Sequence, residues 1–201
     1  MSVTLGAILR RLRSEGLLRA EPGERDSARE IDDISADSRT VRPGTLFCAI
    51  RGTSGDGHQY LRDAAAAGAV AALVERTDPA LELLQIEVSD SRRAAAYAAA
   101  AFFGDPWRDL TLIGVTGTNG KTTTVWILRH LLGGRGPAAS IGTLGVVGPD
   151  GEPLPGTEGL TTPGPIELAR LFRRLADSAV EAVAMEVSSH ALQQARVAAL
   201  R

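Results

Sequence analysis

An apolar run feeding a glycine-rich turn, with a helical pattern leaving it, constrains this chain's fold more than any other feature. Leu110 to Val115 reads as a strand, Thr116-Gly117-Thr118-Asn119-Gly120 as the turn, and Lys121 to about Leu132 as a helix. A strand that enters a tight turn and leaves as a helix is the first half of a βαβ unit, so the surrounding chain is expected to build a parallel sheet. The same order suits a phosphate loop. Glycines let backbone N–H groups turn inward around phosphate oxygens, and the helix N-terminus adds partial positive charge. Lys121 would then meet the β- and γ-phosphates of ATP, and the Thr122 hydroxyl would ligate Mg²⁺. The strict pattern G-x-x-x-x-G-K-[ST] has glycine where this chain has Val115, with Gly114 and Gly117 on either side. The plain alternative is a strand-to-helix turn that holds no ligand. Against it stands the composition: of 22 basic residues Lys121 is the single lysine, and the single asparagine, Asn119, lies two residues away. Lysine is a compact charge on a flexible stem and arginine a rigid fork, so a chain that favours arginine everywhere else keeps lysine where the shape matters.

The rest of the chain alternates helix and strand. Thr4 to Leu12 reads as a helix, Ile31 to Ser35 and Thr45 to Ile50 as strands, and Gln59 to Ala67 as a helix ended by Gly68. Val70 to Val74 and Leu83 to Val88 are apolar runs of strand length, and Ser89 or Asp90 can cap the alanine-rich helix reaching Phe103. Gly104-Asp105-Pro106 breaks the pattern and marks the expected boundary between a domain over 1–104 and another over 105–201. Beyond the turn, glycine and proline crowd residues 133 to 164. Leu168, Leu171, Phe172 and Leu175 then mark one buried helix face, and Val180 to Val187 a further strand. The expected fold is α/β: a small N-terminal α/β domain followed by the first part of a Rossmann-like parallel-sheet domain.

Net charge of −2 gives no electrostatic reason for a nucleic-acid or membrane partner. Arg10 and Arg11 follow the first apolar residues instead of preceding them, so a secretory leader is not expected, and no apolar run has the length of a membrane span. Cys48, the one cysteine, sits in Leu46-Phe47-Cys48-Ala49-Ile50 and reads as a small buried hydrophobe. A cytoplasmic chain without disulfides is expected.

Val183-Ala184-Met185-Glu186 places a carboxylate at the end of an apolar strand, where a second acid of a phosphate-loop fold reaches the Mg²⁺ at Thr122. Taken alone, Glu186 could be a solvated strand end; beside this loop the metal role is favoured. Thr161-Thr162-Pro163 offers loop hydroxyls to an anionic ligand, or a cap to the helix starting near Pro165, and both roles can hold. His190 is open between a structural and a functional role, and His58 and His130 read as structural or surface residues. In the front domain, Asp37-Ser38-Arg39 and Gly52-Thr53-Ser54-Gly55-Asp56-Gly57-His58 are weak signals singly, a turn and a flexible loop.

In that order and spacing these pieces resemble the Mur ligases. Thr116-Gly117-Thr118-Asn119-Gly120-Lys121-Thr122-Thr123 is similar to the nucleotide loop of that family and its folylpolyglutamate synthetase relatives, which carry this form of the loop. Glu186-Val187-Ser188-Ser189-His190-Ala191-Leu192 resembles the members that add the third amino acid to the peptidoglycan precursor. The resemblance implies that ATP phosphorylates a carboxylate of UDP-MurNAc-L-Ala-D-Glu and that a free amino acid, meso-diaminopimelate or L-lysine, displaces phosphate to form an amide. It implies ATP contacts from Gly117 to Thr123 and Mg²⁺ contacts from Thr122 and Glu186. It places Ala36 and Ser38 at the uridine and Thr53, Ser54 and Gly55 at the diphosphate, with Thr161, Thr162, Ser188, Gln194 and Arg196 also on the UDP substrate. The first domain would thus bind the UDP substrate and the second ATP, in an enzyme that acts as a monomer. The family also uses a carbamylated lysine and a C-terminal domain for the amino acid. Lys121 is the only lysine, so these 201 residues are expected to bind without completing ligation, and a sheet cut partway is expected to invite self-association. A plain phosphate-loop kinase or NTPase would leave the front motifs unexplained, a UDP-sugar-binding module would leave Lys121 unexplained, and Glu186 to Leu192 argues against the member adding D-Ala-D-Ala.

Overall fold

The computed structural model describes residues 2–52, 55–157, 159 and 161–200. The chain divides between Gly104 and Asp105 into two compact units, each with its own four-stranded sheet.

The first unit runs β1 (Val3–Thr4), α1 (Leu5–Ser14), α2 (Glu24–Ser27), β2 (Glu30–Ile31), β3 (Asp33–Ser35), β4 (Thr45–Cys48), α3 (Leu61–Ala66), β5 (Ala71–Val74), β6 (Gln85–Glu87) and α4 (Ser91–Phe103). Its sheet is parallel, in the order β3-β4-β5-β6, and β1 and β2 form a separate antiparallel clip. Every residue of β4 and β5 is buried, which is why both read as unbroken apolar runs. Helix α1 buries Leu5, Ile8, Leu9 and Leu12 and packs against α4, whose alanines let the two helices approach closely. Asp90 caps α4 by accepting from the N–H groups of Arg92 and Arg93, and Gly104 ends it in the left-handed conformation.

Two expectations are refined here. The run Ile31 to Ser35 is not one strand. It breaks at Asp32, whose N–H goes to the Gly44 carbonyl, so that β2 pairs with β1 and β3 with β4. The helix expected from Gln59 begins instead as a 3-10 turn at Gly57–Tyr60 and becomes α-helical at Leu61.

The second unit runs β7 (Thr111–Val115), α5 (Lys121–Gly133), β8 (Ala138–Gly142), β9 (Gly145–Val147), α6 (Pro165–Asp177), β10 (Ala182–Glu186) and α7 (Ser189–Gln193). The strand order is β7-β10-β8-β9, with the first three parallel and β9 antiparallel at the edge. The pair β8–β9 lies in the glycine- and proline-crowded stretch that carried no strand expectation. Ala138, Ala139 and Ser140 are poor strand formers alone; β8 exists because it pairs along the wholly buried β10. Helix α6 buries Leu168, Leu171, Phe172 and Leu175 as its spacing foretold, and Trp107 meets Phe172 edge-on with ring centroids 6.1 Å apart. Among the described residues no helix is long and apolar enough to cross a membrane.

Cys48 is buried, and burial pushes its thiol up to about 12. His58 is structural: its Nδ1 lies 2.6 Å from Asp56 Oδ1 and its Nε2 accepts the Glu75 N–H at 2.9 Å, which assigns the ring proton to Nδ1.

Candidate functional site

Strands β7 and β10 are parallel neighbours with Val115 paired to Glu186, so the turn leaving β7 and the carboxylate ending β10 emerge side by side. The carboxyl ends of parallel strands are where open α/β sheets bind ligands. Gly117 and Gly120 have φ of +147° and +80°, a region that side-chain-bearing residues rarely enter. Gly120 leads straight into α5. Residues 117–120 are exposed, and no hydrogen bond among the described residues uses their N–H groups, which leaves a row of free donors ahead of a helix N-terminus. Lys121 folds back so that Nζ donates to the Gly117 carbonyl at 2.8 Å, bringing the ammonium over the loop. Thr123 is exposed on the first turn of α5.

Glu186 is only 2% exposed. A buried carboxylate is costly unless it is hydrogen-bonded and its charge is met. Its oxygens take hydrogen bonds from neutral donors alone. Thr122 Oγ1 and the Thr143 N–H each reach Oε1 at 3.0 Å, and Thr143 Oγ1 reaches Oε2 at 3.3 Å. No Lys, Arg or His among the described residues pairs with it. This donor set fits Mg²⁺, which binds proteins through one or two carboxylates and fills its remaining positions with phosphate oxygens and water. The Thr122 hydroxyl spends its proton on Glu186 and keeps its lone pairs for a cation. Among the described residues no cluster of three or more His, Cys, Asp or Glu could form an all-protein metal cage.

Five of the residues expected at the UDP substrate come together beside this carboxylate. Thr162 Oγ1 donates to the Glu186 carbonyl and accepts the Ser188 N–H, both at 3.0 Å, while the Thr162 carbonyl accepts from Arg196 at 2.6 Å. The Arg196 guanidinium also holds Gln194 Oε1 through Nε and Nη2. Thr162 is 1% exposed and its hydroxyl both donates and accepts within the fold, so its side chain braces the loop. It does not cap α6, whose N-cap is Gly164 without a side-chain bond. Thr161 Oγ1 lies 3.1 Å from Thr143 Oγ1. Ser188 caps α7 by accepting the Ala191 N–H, which leaves its own proton free to donate. His190 is exposed on α7. Thr143 was not singled out from the sequence; the one signal for it was a threonine enclosed by glycines in Ile141-Gly142-Thr143-Leu144-Gly145.

In the first unit, exposed Ala36 and half-buried Ser38 follow the carboxyl end of β3. Asp37 caps the 3-10 turn Ser38–Thr40, and its hydrogen bonds from Arg39 hold its carboxyl below the usual range. The next strand over, β4, ends in a loop closed by Gly52 N–H to the Gly55 carbonyl at 2.7 Å. Gly55 is exposed there; Thr53 and Ser54 lie outside the described residues. Both segments thus leave the carboxyl ends of adjacent parallel strands.

Two family models match the chain: the Mur ligase family catalytic domain over residues 30–103 and the Mur ligase middle domain over residues 115–201. A UDP-N-acetylmuramoyl-L-alanyl-D-glutamate–2,6-diaminopimelate ligase from Geobacter sulfurreducens is 42% identical over 88% of this chain and 34% of its own length. One of the same name from Geobacillus kaustophilus is 45% identical over 84% of this chain and 34% of its own. A solved structure bearing that ligase name superposes with a TM-score of 0.75 at 24% identity, covering 98% of this chain and 38% of the other. The chain spans about a third of the length of the curated relatives it matches. With both units matched by models of one family and close relatives drawn from it, the chain belongs to the Mur ligases.

Proposed function

We propose that this chain forms the substrate- and nucleotide-binding part of a cytoplasmic, ATP-dependent ligase that adds the third amino acid to UDP-MurNAc-L-Ala-D-Glu in peptidoglycan synthesis. The observation that carries this reading is Glu186: a buried carboxylate with no cationic partner among the described residues, bonded to Thr122 at the mouth of the glycine loop. In the proposed chemistry ATP transfers its γ-phosphoryl group to the free carboxylate of the substrate, giving an acyl phosphate and ADP. The incoming amine then attacks the acyl carbon, phosphate leaves, and the amine gives up a proton. Backbone N–H groups from Gly117 to Gly120 would cradle the phosphates and Lys121 would meet their β- and γ-oxygens. Thr122 and Glu186 would hold Mg²⁺, which neutralises phosphate charge when bound.

On the substrate side, Ala36, Ser38 and the loop through Gly55 would hold the uridine diphosphate. Thr161, Ser188, Gln194 and Arg196 would face the sugar–peptide, with Thr162 setting their positions. The similarity to 2,6-diaminopimelate ligases supports diaminopimelate over lysine as the third residue. The test is calorimetry of the 201-residue chain with UDP-MurNAc-L-Ala-D-Glu and, separately, with ATP and Mg²⁺. Binding of both is expected. Binding of ATP alone would leave a plain NTPase unit, and binding of the UDP substrate alone a sugar-nucleotide module; either result overturns the reading. Positioning carries most of the rate in phosphoryl transfer, so the chain alone is expected to yield no tripeptide by mass detection with diaminopimelate or lysine.

A further inference from the structure

We propose that Thr143 is a positioning residue, which aims the Glu186 carboxylate at the cation and fixes the Thr161 hydroxyl as a hydrogen-bond acceptor toward the substrate. The proposal rests on the reading of Glu186 as a Mg²⁺ ligand. Thr143 lies in the tight turn between β8 and β9, which Gly145 closes with a φ of +83°. It touches both oxygens of Glu186, Oε1 through its N–H and Oε2 through its hydroxyl. The preceding glycine makes room for this. A Cβ at Gly142 would collide with Glu186 Oε1 and lie 2.8 Å from its Cγ and Cδ. The turn is therefore shaped to let the carboxylate lie across it, and the next residue clamps it there.

Proton counting orders the chain of hydroxyls. An ionised carboxylate only accepts, so the single hydroxyl proton of Thr143 goes to Oε2. The 3.1 Å contact between the two threonine hydroxyls is then donated by Thr161. Thr161 thus has only lone pairs left to offer outward. A ligand group touching it must be an N–H or O–H, such as a peptide amide or sugar hydroxyl, and not a phosphate oxygen. Groups that hold a metal ligand in this way set its orientation and basicity, and their loss commonly weakens metal binding about 10- to 100-fold.

The experiment measures Mn²⁺ binding to the full chain by electron paramagnetic resonance in the presence of ADP, and ADP binding without metal by calorimetry. Thr143→Val is expected to weaken Mn²⁺ binding about tenfold and leave metal-free ADP affinity unchanged, and Thr143→Ser to bind Mn²⁺ as the wild type does. Wild-type behaviour in the valine variant overturns the proposal. So does an equal loss in the serine variant, which would make the effect one of packing, and so does a matching loss of metal-free ADP binding. If circular dichroism shows the valine variant unfolded, Thr143→Ala supplies the same comparison. Glu186→Gln separates the two levels of inference. If it weakens Mn²⁺ binding while Thr143→Val does not, only the role of Thr143 fails. If it has no effect, or the wild type takes up no Mn²⁺, the reading of the metal site fails with it.

Discussion

Lys121 is the residue at which charge and shape can be tested apart. Its ammonium reaches the Gly117 carbonyl at 2.8 Å, so it occupies a space bounded by a single turn of backbone. Arginine would keep the charge but bring a planar guanidinium too wide for that turn, with its donors set in a fork. Lys121→Arg is therefore expected to weaken ATP binding about tenfold, or about 1.4 kcal/mol, measured by calorimetry. Equal affinity in the two proteins would mean that the loop reads charge alone. This much was legible in the sequence, because a strand, a glycine turn and a helix lie consecutively and the lone lysine marks the place. Thr143 was not legible in the same way. Its significance lies in bonds to Glu186, 43 residues away, and no local pattern encodes a contact made by strand pairing.

At the scale of elements, Glu75 ties the end of β5 to the start of α4. Its Oε1 accepts from the Ser91 N–H at 2.9 Å and the Ser91 hydroxyl at 2.7 Å, its Oε2 meets Arg51 at 3.3 Å, and its own N–H goes to His58. Burial alone would raise the carboxyl's pKa; the bonds from Ser91 and Arg51 outweigh that and hold it below the usual value. A depressed carboxylate pKa stabilises the fold above the unfolded-state value, about 4.3 for glutamate, and that contribution fades as pH falls through the folded value. Urea midpoints measured from pH 7 down to pH 3 should therefore fall less steeply for Glu75→Gln than for the wild type. Parallel curves would show that the tie contributes nothing to acid sensitivity. Strands β4, β5 and β10 were readable because strands buried on both faces are spelled as apolar runs. Strands β8 and β9 were hidden by alanine, serine and glycine, which become strand only through the neighbour they pair with.

At the scale of the whole molecule, the two units differ in how completely they cover their apolar surface. In the first, β4 and β5 are buried throughout. In the second, β7 forms ladder bonds, among the described residues, only to β10, and none of its residues is fully buried. Its sequence, Thr-Leu-Ile-Gly-Val, holds none of the lysines, prolines or inward charges that natural edge strands use against pairing with another chain. An apolar cleft of about 470 Å³ lies along it, lined in part by Leu110, Leu112, Met185, Val187 and Leu192. On α5, Trp126, Ile127 and Leu131 are 45%, 55% and 64% exposed. An apolar cleft beside an open edge favours association, and a net charge of only −2 supplies little repulsion against it. Two copies can satisfy the free edge by pairing their β7 strands antiparallel about a twofold axis, so that the same patch serves both sides. The weight-average mass from sedimentation is accordingly expected to rise with concentration toward that of a dimer. Leu112→Lys, which puts a charge into the cleft beside the edge, should return it to the monomer while circular dichroism stays unchanged. A wild-type mass that stays monomeric across the concentration range, or a lysine variant that associates equally well, would place the association elsewhere or exclude it.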